Sequence, residues 1–143
     1  MAFLTPVLDA AGVNALLRKA FPDATPAAFP TVTEVSSGRV KVMATYHEGL
    51  LRPGGVISGP TLMSLCDTAA YALVLAHIGD QLMAVTSSLT MNFLRGAAPG
   101  DLHAQAEMLR LGRRNAVCDV RLWTESQERL AAHAVVTYAL PQS

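Results

Sequence analysis

The stretch SGPTLMSLCDTAAYALVLAHIGD, residues 58–80, decides the fold. It opens on Ser58, a residue type that caps helix N-termini. Gly59 follows, then Pro60 in the first turn, where the missing N–H has no helical partner to lose. From Thr61 to Ile78 the pattern is helical and apolar nearly all round: Leu62, Met63, Leu65, Cys66, Ala69, Ala70, Leu73, Val74, Leu75 and Ala76 leave no polar face. A helix of that kind is buried on most sides, so other structure must surround it. Gly79-Asp80 ends it.

The surrounding structure is read on either side. Downstream lie four β-rich runs, Met83 to Leu94, Leu102 to Leu111, Asn115 to Thr124 and Leu130 to Leu140. Short polar turns join them: Gly96 to Asp101 with its Pro-Gly, then Gly112-Arg113-Arg114, then Glu125 to Glu128. They predict an antiparallel meander. Upstream, Thr31 to Val35 and Arg39 to Tyr46 form a hairpin turning at Ser36-Ser37-Gly38, and His47 to Ile57 is a Pro- and Gly-rich loop. Val7, Leu8, Ala11, Leu16, Leu17 and Ala20 give residues 7–20 the spacing of a short amphipathic helix that stops before Pro22. The expectation is an α+β chain in which a curved antiparallel sheet of five to six strands wraps one long central helix, as a single domain over residues 1–143.

At 143 residues, 51% of them hydrophobic and only 15% charged, the chain is apolar for its size, which predicts that a second copy covers part of its surface. Met83 to Leu94 is the candidate face, since a long run with few charges is hazardous as a free edge. Eleven basic residues balance eleven acidic ones, which argues against nucleic acid as a partner. The opening Met1-Ala2-Phe3-Leu4-Thr5-Pro6 lacks the basic region and apolar run of a leader, no segment reads as a membrane span, and a cytoplasmic location is expected. Cys66 and Cys118 fit no CxxC or metal spacing and are expected to be reduced core residues. His47, His77, His103 and His133 likewise show no metal spacing and are read as structural or exposed.

In order and spacing, Ser58-Gly59-Pro60 to Asp67-Thr68-Ala69, Ala84-Val85-Thr86 to Asn92-Phe93-Leu94-Arg95, Pro99-Gly100-Asp101-Leu102, Leu111-Gly112-Arg113-Arg114 and Thr137-Tyr138 resemble the PaaI-like acyl-CoA thioesterases of the hotdog fold. The resemblance covers roughly residues 40 to 140. It implies hydrolysis of an acyl-CoA, short- or medium-chain or aryl, by a homodimer or homotetramer with its site at the subunit interface and no cofactor or metal.

Asp67 is the sharpest candidate on its residues alone. It is the only charge between Arg52 and Asp80, and a carboxylate in an apolar helix needs a partner or a task. The resemblance makes it the base or nucleophile. Gly59 stands at a helix start, where free N–H groups and positive dipole face outward; the resemblance makes its N–H the oxyanion donor. Ser58 and Pro60 depart from the family's His-Gly-Gly, and Arg52 stands where many members have Asn. Ser58 is either a plain N-cap or a hydrogen-bond donor to the thioester. Arg52 is either a solvated loop residue or a contact to a CoA phosphate. By resemblance Thr86 positions the attacking water, facing the acid across the dimer. Asn92 either reaches the same cleft or caps its strand. Arg110, Arg113 and Arg114 cluster at one turn and suit CoA phosphates, or are simply solvated. Leu62, Met63, Tyr71 and Phe93 are candidates to line the acyl group. A hotdog hydratase is disfavoured, because Ala72 stands five residues after Asp67 where that type carries His. The contrasting reading is a catalytically weak acyl-CoA-binding or regulatory module.

Overall fold

The computed structural model describes residues 4–24 and 29–142. Met1-Ala2-Phe3, read above for a leader, lie outside the described residues. The elements in order are α1 (Ala10–Ala20), β1 (Thr31–Ser36), β2 (Arg39–Ala44), a 3-10 turn (Glu48–Leu50), β3 (Leu51–Arg52), β4 (Val56–Ile57), α2 (Gly59–Ile78), β5 (Val85–Phe93), β6 (Leu102–Leu111), β7 (Asn115–Trp123) and β8 (Ala132–Ala139). Six strands form one antiparallel sheet in the order β1-β2-β6-β7-β8-β5, with α2 against its inner face, which is the hotdog arrangement.

Side-chain size explains how closely the helix seats. From Ala69 to His77 every residue of α2 is buried. The sheet offers several small side chains among its buried residues: Ala104 and Ala106 on β6, Ala116 on β7, Ala132 and Ala134 on β8. Alanine against leucine lets two layers interdigitate at crystal-like density, and each fully buried leucine stabilises the fold by about 2–3 kcal/mol. α2 is long and apolar enough to cross a membrane by length and composition, yet its apolar surface is spent on this sheet. The first half of α2 is less enclosed, and Pro60, Met63 and Ser64 are exposed. Asp67 sits where the helix enters the sheet.

The predicted helix starts three residues later than expected, because Asp9 rather than an earlier residue caps it, accepting from Gly12 N at 2.8 Å. β2 stops at Ala44 because Tyr46 N turns away to Asp101 Oδ1. β5 begins at Val85, after the turn in which Ala84 N donates to Gln81 O, so Met83 falls outside it. The loop from His47 to Ile57 is more ordered than its Pro-Gly content suggested and contains the small β3–β4 hairpin.

The two sheet edges are treated differently. Along β1, Asn14 of α1 pairs with the backbone of Val32, donating Nδ2–H to its O at 2.9 Å and accepting its N–H on Oδ1 at 2.8 Å. A helix thus covers that edge, a standard defence against strand addition. β5, bonded only to β8, has most residues exposed, including Val85 and Phe93.

His77 ties the first hairpin to the helix from a buried position. Its Nδ1–H donates to Leu73 O and its Nε2 accepts from Gly38 N, both at 3.0 Å. His77→Leu strands the Gly38 N–H, and unfolding free energy is expected to fall by about 1–3 kcal/mol. Denaturant titration at unchanged slope reads it; an unshifted midpoint would show that the bridge contributes nothing.

Candidate active site

Asp67 is half-buried on α2, and two hydroxyls converge on one of its oxygens. Thr86 Oγ1 donates to Oδ1 at 2.6 Å and Tyr138 OH donates to the same Oδ1 at 2.7 Å. The phenol also reaches the main-chain O of Asp67 at 3.1 Å. Among the described residues nothing donates to Oδ2. The carboxylate is therefore held by charge-assisted bonds while one oxygen stays available.

The contact with Thr86 corrects an expectation, since the hydroxyl reaches the acid of its own chain rather than of a partner. The cause is a β-bulge. β5 pairs in regular register from Phe93↔Ala132 to Ser88↔Thr137, then skips Ser87, so that Thr86 pairs with Tyr138. Strict alternation would put residue 86 on the outer face with Ser88, Thr90 and Asn92; the extra residue turns it inward. Asn92 lies beyond the bulge opposite His133, on the outer face, away from Thr86 and Asp67. Within one chain, then, Asn92 does not share the face that carries Thr86.

Gly59 opens α2. Ser58 accepts Thr61 N on its side chain at 3.4 Å and Leu62 N on its carbonyl at 3.3 Å, and Pro60 has no N–H. Of the first-turn donors, the Gly59 N–H alone has no acceptor among the described residues. The Ser58 hydroxyl also shares a 2.8 Å bond with Thr61 Oγ1, so it is occupied in capping. Gly59 has no positive φ, and it faces the Phe93 ring, which an added Cβ would meet in ordinary contact at 3.5 Å. Arg52, Gly59, Leu62, Phe93 and Arg95 border an open groove of about 430 Å³. Leu62 and Phe93, two of the four acyl-lining candidates, therefore meet beside Gly59. Tyr71 lies elsewhere, stacked on Tyr138 at 5.7 Å, and Met63 is solvent-facing.

Gly59 and Asp67 are eight residues apart on one helix, about 12 Å along its axis. On β5 their neighbours Phe93 and Thr86 are separated by about 20 Å. Arg113 and Arg114 belong to the Asp67 end: Asn115 pairs with Ala139, which also pairs with Val85, one rung from Thr86. With Arg110 they border an open pocket of about 340 Å³, and none of the three forms an ion pair among the described residues.

Tyr138 was quoted above only as part of a terminal motif; its place on the inner face of β8, in step with Ala134 and Val136, was the signal available for its role. Burial, with the Asp67 charge adding to it, pushes its phenol well above the usual range, so it remains a donor. Of the remaining histidines, His103 stacks on Trp123 at 5.8 Å, His133 meets Asp119 at 2.5 Å, and His47 is exposed.

The thioesterase superfamily profile matches residues 54–131, more than half of the chain, and the chain belongs to that family. A candidate thioesterase of known structure from Silicibacter sp. TM1040 is 36% identical, with a TM-score of 0.87 over 97% of this chain and 96% of that one. A candidate esterase from Saccharolobus solfataricus is 29% identical over 73% of each chain. A hypothetical thioesterase from Streptococcus pneumoniae, solved with coenzyme A, shares the fold at 22% identity and a TM-score of 0.74, covering 89% of this chain and 98% of that one.

Both cysteines are buried free thiols. Burial pushes Cys66 to about 12, with the adjacent Asp67 charge adding to it, and burial alone takes Cys118 to about 12. The folded pKa values lie above the ordinary 9.0, so the stability they contribute is complete below about pH 9 and declines as pH rises toward 12. A thiol reagent at pH 8 is expected to leave both unmodified in the native protein and label both in denaturant; rapid native labelling would contradict their burial.

Proposed function

We propose that this protein hydrolyses acyl-CoA thioesters to free acid and CoA at sites shared between two copies joined along β5. The observation that carries the reading is the division of the chemistry. A carboxylate held ready at Asp67 stands at one end of a bare edge strand, and a free N–H at Gly59 stands at the other. A thioester carbonyl cannot meet both within one chain. Two β5 strands paired antiparallel about a two-fold axis set the Thr86 end of one beside the Phe93 end of the other. Each site then takes Gly59 from one copy and Asp67 from its partner.

In such a site the Gly59 N–H, at the positive end of α2, stabilises the oxyanion that forms on the carbonyl. Asp67 acts as a base on water or as a nucleophile, and the C–S bond breaks to release CoA. Pro60 deletes its own N–H and leaves that of Gly59 free, which supports hydrolysis over a purely binding role. Arg113 and Arg114 are suited to CoA phosphates, and coenzyme A in the pneumococcal structure supports that substrate class. Arg52, at the Gly59 groove, is a second phosphate candidate. A cytoplasmic location fits an acyl-CoA substrate and reduced thiols.

The test is CoA release from a panel of acyl-CoA thioesters. Asp67→Asn is expected to lower turnover by about two to four orders of magnitude. Gly59→Pro removes the donor at a position that tolerates proline, because Ser58 is already extended at ψ 148. Co-refolding the two inactive variants should restore about a quarter of the wild-type rate, since half of the pairs are mixed and each has one intact site of two. No recovery, or an active monomer by light scattering, would sink the shared site. No turnover in the wild type alongside tight acyl-CoA binding would instead establish the binding module.

The arginine turn has its own readout. Replacing Arg113 and Arg114 with Ser should raise KM for acyl-CoA by roughly ten- to hundredfold, with kcat little changed. The same change on a pantetheine thioester lacking the nucleotide would remove the phosphates as the explanation.

A further inference from the structure

Tyr138 is the one side chain bonded to Asp67 to which no motif assigns a task. It is fixed from behind. Its ring stacks on Tyr71 at 5.7 Å and 20°, the Tyr71 hydroxyl donates to Leu82 O at 2.8 Å, and Phe21 meets Tyr71 edge-on at 6.0 Å. A row of rings thus runs from the end of α1 to the carboxylate. The terminal torsion of an aspartate is broad, so one hydrogen bond leaves its plane free to swing. Two donors reaching Oδ1 from different strands, Thr86 on β5 and Tyr138 on β8, remove that freedom.

We infer that Tyr138 is a positioning residue: together with Thr86 it immobilises Oδ1 of Asp67 and thereby presents Oδ2 as the oxygen that reacts. The inference rests on the thioesterase reading. In the base mechanism a water O–H bond breaks, the proton passes to Oδ2, and the hydroxyl adds to the carbonyl carbon. When the C–S bond breaks, the same proton goes to the departing sulfur. The two hydroxyls on Oδ1 keep their protons throughout and transfer none. In the nucleophilic mechanism Oδ2 adds to the carbonyl carbon, the C–S bond breaks to release CoA thiolate, and water then cleaves the mixed anhydride to give the free acid and restore the carboxylate; the requirement on Tyr138 is unchanged.

Steady-state kinetics on Tyr138→Phe, which keeps the ring and its stacking, are the test. kcat is expected to fall by roughly ten- to hundredfold, the scale of one hydrogen bond to a charged group, with KM within about twofold. Thr86→Val should act similarly, and Thr86→Ser, which keeps the hydroxyl, should retain the rate. A positioning role works only through Asp67, so Tyr138→Phe added to Asp67→Asn should cost nothing further. An unchanged kcat in Tyr138→Phe overturns the inference, as does a loss that persists in the Asp67→Asn background, the mark of a structural defect. Those outcomes leave the thioesterase reading intact, whereas equal rates for wild type and Asp67→Asn overturn both.

Discussion

A helix that is apolar around its whole circumference cannot lie on a surface, and the rest of the architecture answers that constraint. Enclosure takes a broad sheet curved around the helix, with alanines set among its larger buried side chains so that backbone and helix come close. Enclosure is also unequal along its length. The C-terminal half is buried residue by residue, while the N-terminal half emerges toward solvent. Asp67 stands at that boundary, far enough in to be gripped by two hydroxyls and far enough out to keep an oxygen free. A carboxylate one turn deeper would need neutralising; one turn shallower it would be hydrated and unconstrained.

What was legible in the sequence follows from how local each signal is. The bounds of α2 could be read because Ser58, Pro60 and Gly79 act within a turn of themselves, and the helix spans Gly59–Ile78. β6 was read to the residue, because turns with glycine or Pro-Gly flank it. Which face Asn92 takes relative to Thr86 was not legible, because counting along a strand by twos works only until a residue is inserted, and nothing in Thr86-Ser87-Ser88 announces the bulge. The same insertion brings Thr86 to Asp67 within one chain. Tyr138 and Asp67 are 71 positions apart, so their contact is set by sheet order and was not visible in any local pattern. The Ser58 hydroxyl had two readings; the structure uses it in the cap.

The departures from the family's His-Gly-Gly have a physical reading. Proline at the second position removes a donor that would otherwise compete for the same electron density, and serine at the first closes the turn through its own hydroxyl. Among the described residues the helix start is left with a single unshared N–H, backed by the dipole of a 20-residue helix. Such a donor is less adaptable than a pair but better defined in direction.

Asn14 has a consequence for how the molecule assembles. By engaging both backbone groups of Val32 it occupies hydrogen-bonding groups that an added strand on that edge would need. Two copies joined at β5 would therefore present a covered margin on either side, and strand addition would stop at the pair. Association through a bare strand usually carries the hazard of open-ended growth into fibres. A covered opposite margin would make such an association self-limiting, so that one unprotected strand need not become a template for a polymer.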